Sequence, residues 1–151
     1  MDDIVQQLND YRPSFGPLEK TVSYGVKRAW LRVQRDLEAA LAPEGFTPPL
    51  LAALSIAVAN PGIAPARLAE TMGHGRSRAA PLLDRLEADG LVTRAEGGDR
   101  RSLSLIPTAA GREKLARLER LLADHETRVT APLSPDEARL LAALLERVSR
   151  G

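Results

Sequence analysis

The sequence predicts a mainly α-helical fold carrying one small β-hairpin. Three observations predict it. Apolar residues recur at helical spacing in several long segments, most clearly from Leu18 to Leu41. Two short apolar runs, Leu91-Val92 and Leu103-Ser104-Leu105-Ile106, flank the polar tip Glu96-Gly97-Gly98-Asp99. Proline and glycine clusters punctuate the helical segments at Ala42-Pro43-Glu44-Gly45, Asn60-Pro61-Gly62 and Gly73-His74-Gly75.

Taken in order, residues 1–16 read as an arm broken by Pro13 and Gly16, with a helical turn at Ile4-Val5-Leu8. A helix from Leu18 to Leu41 carries one apolar stripe. Thr47 is placed to N-cap the next helix and Pro48 to occupy its first position. That helix, LLAALSIAVA, is apolar nearly all round, which predicts burial. A short helix is expected over about Ala64 to Met72, with Leu68 and Ala69 facing inward, then a tight turn at Gly73-His74-Gly75. Another follows from Arg76 to Asp89, with Leu82, Leu83 and Leu86 as its apolar face and Gly90 as the left-handed residue that ends it. After the hairpin, Pro107 and Thr108 begin a long helix whose stripe is Leu115, Leu118, Leu121/Leu122, His125 and Val129. Ser134-Pro135-Asp136-Glu137 is a capping box that opens the last helix, ARLLAALLERV.

Composition narrows the function. With 44% apolar residues among 151, the chain can bury a real core, and 27% charged residues predict a soluble, folded protein. No run of roughly 18 apolar residues predicts a membrane span. The acidic, polar start MDDIVQQLND is unlike a signal peptide, and a cytoplasmic protein is expected. The absence of cysteine excludes thiolate metal sites, disulfides and cysteine redox sensing. Two widely separated histidines, His74 and His125, do not make a zinc site, so no metal and no cofactor is expected. No Ser-His-Asp spacing or phosphate loop points to an enzyme. The net charge of +1 gives no case for a polyanion partner by itself. From His74 to Arg101, arginines alternate with acids, so any basic face has to be made by folding.

Two short helices joined by a glycine turn, followed directly by a hairpin, are the order of a winged helix-turn-helix. The second helix of such a unit enters the major groove by its N-terminal residues. Here these are Arg76, Ser77 and Arg78, with Ala79 and Ala80 small enough for close approach. A groove about 12 Å wide admits a helix, and arginine pairs bidentately with guanine there. Arg100 and Arg101 sit at the hairpin tip, where arginine suits phosphate or a narrow minor groove. Asp99 can hold a neighbouring guanidinium in one geometry, and Gly97-Gly98 keeps the tip slim.

With these residues in view, the chain resembles the MarR family of transcriptional regulators. The resemblance rests on Leu68-Ala69-Glu70, Leu83-Asp84-Arg85-Leu86-Glu87, Gly90-Leu91-Val92, Arg94, Asp99-Arg100-Arg101 and Pro107-Thr108-Ala109-Ala110-Gly111. It runs closely from Phe46 to Leu115; the flanking helices agree in length and order only. It implies an obligate homodimer, with 1–45 as N-terminal arm and dimerisation helix, 46–107 as the winged DNA-binding domain and 108–151 as C-terminal dimerisation helices. The apolar stripes of 18–41, 108–129 and 134–148 support a dimer independently. A two-fold dimer predicts a palindromic double-stranded operator with half-sites about 34–36 Å apart. By family likeness Arg94, Asp99, Arg100 and Arg101 serve the wing, and Arg76, Ser77 and Arg78 the recognition helix.

The resemblance further implies a repressor released by a small aromatic acid or phenol, bound in a cleft that Tyr24, Trp30 and Phe46 are candidates to line. Core packing is the competing reading of the same three residues. His125, on the stripe of the long helix, reads as a buried or interface histidine, and His74 as a turn residue near DNA phosphate. One departure stands out: Pro81 replaces a polar or basic residue of the recognition helix and lacks an N–H. Either the helix starts late, with Ser77 as N-cap, or it kinks at Pro81. The competing class is a winged-helix module for protein assembly without sequence-specific DNA binding.

Overall fold

A computed structural model of the chain describes residues 14–96 and 103–150. The helical turn expected at Ile4-Val5-Leu8 and the hairpin tip with Asp99, Arg100 and Arg101 lie outside the described residues. The chain forms two compact units, Met1–Val33 and Gln34–Gly151, divided within the first long helix.

In the first unit a 3-10 turn, Gly16–Lys20, precedes helix α1, Val22–Leu41, whose early turns belong to this unit. The predicted single helix from Leu18 is thus interrupted at Thr21, which has extended backbone angles. The Phe15 and Tyr24 rings lie 5.0 Å apart, and the Arg28 guanidinium stands 5.6 Å from the Phe15 ring centre.

The second unit holds the core. Gly45, in the left-handed region at φ 67°, turns the chain after α1. Helix α2, Pro48–Ala59, starts as predicted: Thr47 Oγ1 accepts the Leu50 N–H at 3.4 Å and proline occupies the first turn. Its burial is one-sided despite its apolar composition. Leu50, Leu51, Ala53, Leu54 and Ala57 are buried, while Ser55 and Ala59 are exposed. Helices α3, Pro65–Thr71, and α4, Arg76–Ala88, follow. Leu68, Leu83 and Leu86 from these two helices close over α2.

Strands β1, Val92–Glu96, and β2, Leu103–Pro107, form the antiparallel hairpin, with Val92 opposite Pro107 and Glu96 opposite Leu103. Leu105 is fully buried and anchors β2 in the core. The segment before α3 also joins this sheet: Gly62 N–H donates to the Leu105 carbonyl at 2.8 Å and Leu105 N–H to Ile63 at 3.0 Å. A one-residue bridge leaves no period in the sequence, so this third sheet contact carries no sequence signal.

Helix α5, Ala109–Thr130, is capped by Thr108, whose Oγ1 accepts the Gly111 N–H at 3.0 Å. It buries Leu115, Leu118 and His125. His125 Nδ1 donates to Asp36 Oδ1 at 2.7 Å, and the Arg128 guanidinium holds the same carboxylate at 2.8 Å. A buried histidine therefore has its hydrogen bond satisfied by α1 and tethers α5 to it. Helix α6, Pro135–Arg150, opens on the predicted capping box: Ser134 N–H donates to Glu137 Oε2 at 2.8 Å, and Glu137 N–H to Ser134 Oγ at 3.3 Å. α6 buries none of its residues, and Leu140, Leu141, Leu144, Leu145 and Val148 are all exposed. Among the described residues no single helix is long and apolar enough to cross a membrane.

Candidate nucleic-acid interface

The recognition helix is built by its turn. Gly73, at φ 66°, reverses the chain after α3, and His74 N–H donates to the Ala69 carbonyl at 2.9 Å. His74 Nδ1 lies 2.9 Å from the Met72 carbonyl, so the ring braces the turn through its own N–H. Gly75 then caps α4: its carbonyl accepts the N–H groups of Arg78 and Ala79 at 3.0 and 3.2 Å.

The helix therefore begins at Arg76, and the late start at Ser77 is corrected. Its first turn is set by Gly75 and needs no side-chain cap. Pro81 sits inside α4, which continues through it as one element. Proline has no N–H, so the Ser77 carbonyl loses its helical donor. Both Ser77 and Pro81 are exposed, so solvent can satisfy that carbonyl.

Arg76, Ser77 and Arg78 are all exposed at the N-terminal turn of α4. Ala79 is not: at 2% exposed it faces the core, which corrects its expected place on the outer face, whereas Ala80 is exposed. Folding also sorts the arginines of this region. Arg67 pairs with Glu70 at 3.1 Å and Arg85 with Asp89 at 2.7 Å. Arg94, on β1, reaches Asp84 at 2.5 Å and Glu87 at 3.2 Å. Among the described residues, Arg76 and Arg78 make no ion pair, so uncompensated positive charge collects where the helix dipole is also positive. Arg76 also borders a recess of about 430 Å³ between α3, α4 and the hairpin, floored by Ala69, Ala79 and Leu83.

The aromatic candidates divide between the two units. Phe46 is a core residue, 5% exposed, with Lys114 Nζ 5.0 Å from its ring centre. Trp30 is 56% exposed and Tyr24 packs on Phe15. A second recess of about 360 Å³, lined by Leu37, Pro48, Leu51, Leu115, Glu119 and Leu122, had no sequence signal, because its walls come from three helices distant in the chain.

Two helices meeting at a glycine turn, the second exposing arginines at its N-terminus and a hairpin packed behind it, define a winged helix-turn-helix protein. Comparison with known proteins agrees. The model of the MarR family matches residues 44–102. The chain is 35% identical over 108 residues to a transcriptional regulatory protein for the hcr operon of Thauera aromatica, covering 71% of this chain and 65% of that protein. It is 30% identical over 128 residues to the HTH-type transcriptional repressor Mb2911 of Mycobacterium bovis, covering 84% and 92%. Among solved structures, the transcriptional repressor CouR bound to a 23-mer DNA duplex superposes with a TM-score of 0.85 at 36% identity, covering 92% of this chain and 99% of that one. CouR is also solved bound to p-coumaroyl-CoA, at 34% identity and a TM-score of 0.81. The chain belongs to the MarR family of transcriptional regulators.

Proposed function

We propose that the protein is a dimeric, sequence-specific double-stranded DNA-binding regulator, a repressor released by a small aromatic or phenolic ligand. The observation that carries this reading is the exposed Arg76 and Arg78 at the N-terminus of α4, which make no ion pair among the described residues. Arg76, Ser77 and Arg78 read base edges and phosphate in the major groove. Asp99, Arg100 and Arg101 serve the DNA contact of the hairpin. Residues 46–107 act as the reading domain, and 1–45 and 108–151 as the dimerisation region. The exposed leucines of α6 support the dimer, since so continuous an apolar face is expected to be covered. CouR's two complexes support the pairing of duplex DNA with a phenolic ligand. Tyr24, Trp30 and Phe46 are the aromatic candidates for such a ligand. The protein acts in the cytoplasm and catalyses no reaction.

The test is selection of bound fragments from random duplex DNA by the purified protein, repeated across salt concentrations. A palindromic consensus is expected, with a log–log salt slope near −0.9 per phosphate neutralised. Arg101→Ala weakens binding while the dimer persists in sedimentation. Sequence-blind binding with no salt slope would replace this reading by a module that docks protein.

A further inference from the structure

Arg94 fits a different task from that of the free arginines. Its guanidinium reaches two carboxylates of α4, Asp84 through Nη2 at 2.5 Å and Glu87 through Nη1 at 3.2 Å. Asp84 and Glu87 stand one helical turn apart, so both face the strand that carries Arg94. Of the three side chains Arg94 is the least exposed, at 30%, against 65% for Asp84 and 40% for Glu87. Its stem borders the recess beneath α4 together with Ala80, Leu83 and Leu103. Across the sheet Arg94 is opposite Leu105, the fully buried anchor of β2.

A DNA phosphate approaching Arg94 meets a guanidinium whose charge Asp84 and Glu87 already match, and drawing it away from them would leave two unneutralised carboxylates beside a polyanion. Like charges that close repel, so the exchange is unfavourable. Keeping the pairs neutralises Asp84 and Glu87, while a planar fork bonded at two points fixes the strand against the helix.

We propose that Arg94 is a positioning residue: a two-carboxylate latch through Asp84 and Glu87 that sets the hairpin's angle on the recognition helix and makes no DNA contact itself. This inference rests on the DNA-binding reading for its consequence, though not for its geometry. Arg94, Asp84 and Glu87 act as one unit, so removing any member loosens β1 against α4 while buried Leu105 still holds β2.

The test compares Arg94→Gln, Asp84→Asn and the double variant. In the free protein, amide hydrogen exchange of Thr93 and Ala95, the residues whose N–H groups face β2, is expected to speed up in both single variants, and the double variant to add little. With the selected duplex, both single variants are expected to lose affinity about threefold to tenfold, non-additively, with an unchanged salt slope. Tm measured alongside separates this from general unfolding, since a merely structural defect lowers Tm without making the Asp84 and Arg94 effects interdependent. A phosphate contact gives the opposite pattern: Arg94→Gln flattens the slope by about 0.9, and Asp84→Asn, by removing a negative charge, tightens binding. That pattern, or unchanged exchange in both single variants, overturns the latch. Wild type that binds no duplex defeats the DNA-binding reading instead, and the exchange experiment still decides the latch.

Discussion

Gly111→Ala sets two physical effects against each other at one atom. Gly111 is the third residue of α5, and its N–H donates to the capping Thr108 Oγ1 at 3.0 Å. In an open helix, replacing glycine by alanine stabilises by about 1 kcal/mol. Here the added Cβ would stand 2.1 Å from the Leu91 carbonyl oxygen and 3.0 Å from its carbon. That carbonyl is held in place, because it accepts the Thr108 N–H at 3.1 Å, while the Thr108 hydroxyl donates to the adjacent Gly90 carbonyl at 2.7 Å. Overpacking costs about 1–3 kcal/mol where side chains can adjust, so a fixed backbone obstacle belongs at the upper end. Subtracting the gain in propensity leaves about 2 kcal/mol of destabilisation, or a Tm lower by about 4–8 °C for a chain of this size. The assay is thermal unfolding followed by circular dichroism at one fixed protein concentration, since association moves Tm. Gly25→Ala is the control: it lies within α1 with nothing inside 4 Å of its added Cβ, and should gain up to about 1 kcal/mol. If Gly111→Ala melts at or above wild type, the argument from close approach is wrong.

Two further outcomes are expected. Arg128, and after it His125, hold the Asp36 carboxyl down at about 2, from its ordinary 3.8. A carboxylate depressed in the folded state stabilises fully above the unfolded value and loses that stabilisation as pH falls through the folded one. Urea midpoints should therefore favour wild type over Asp36→Asn above about pH 4, with the gap closing toward pH 2; a pH-independent gap would show that the ion pairs are not its source. On α6, the double change Leu140→Glu and Leu144→Glu puts two charges on its exposed apolar face. Sedimentation velocity should shift from dimer to monomer with helicity retained, and an unchanged dimer would place the interface elsewhere.

The parts of this protein legible in its sequence are those decided by residues a few positions apart. Thr47, Thr108 and the Ser134–Glu137 box cap helices because a hydroxyl or carboxylate reaches an N–H within the same turn. Gly90 ends α4 at φ 70°, where a side chain is strained. The order of α3, glycine turn, α4 and hairpin was readable for the same reason.

What lay beyond the sequence depends on which surfaces meet. Ala79 turns inward and Ala80 outward because α4 packs on α2 along one particular line. Asp36 meets His125 and Arg128 only because α1 and α5 lie together, across separations of 89 and 92 residues. The arginines look equivalent along the chain, but folding neutralises Arg67, Arg85 and Arg94 and leaves Arg76 and Arg78 without an acidic partner among the described residues. The sequence by itself determined the helices, their caps and the helix-turn-helix order, since each follows from contacts closed within a turn. Tertiary structure alone decided which charges remain free to act, because an ion pair between two elements exists only after packing has fixed both.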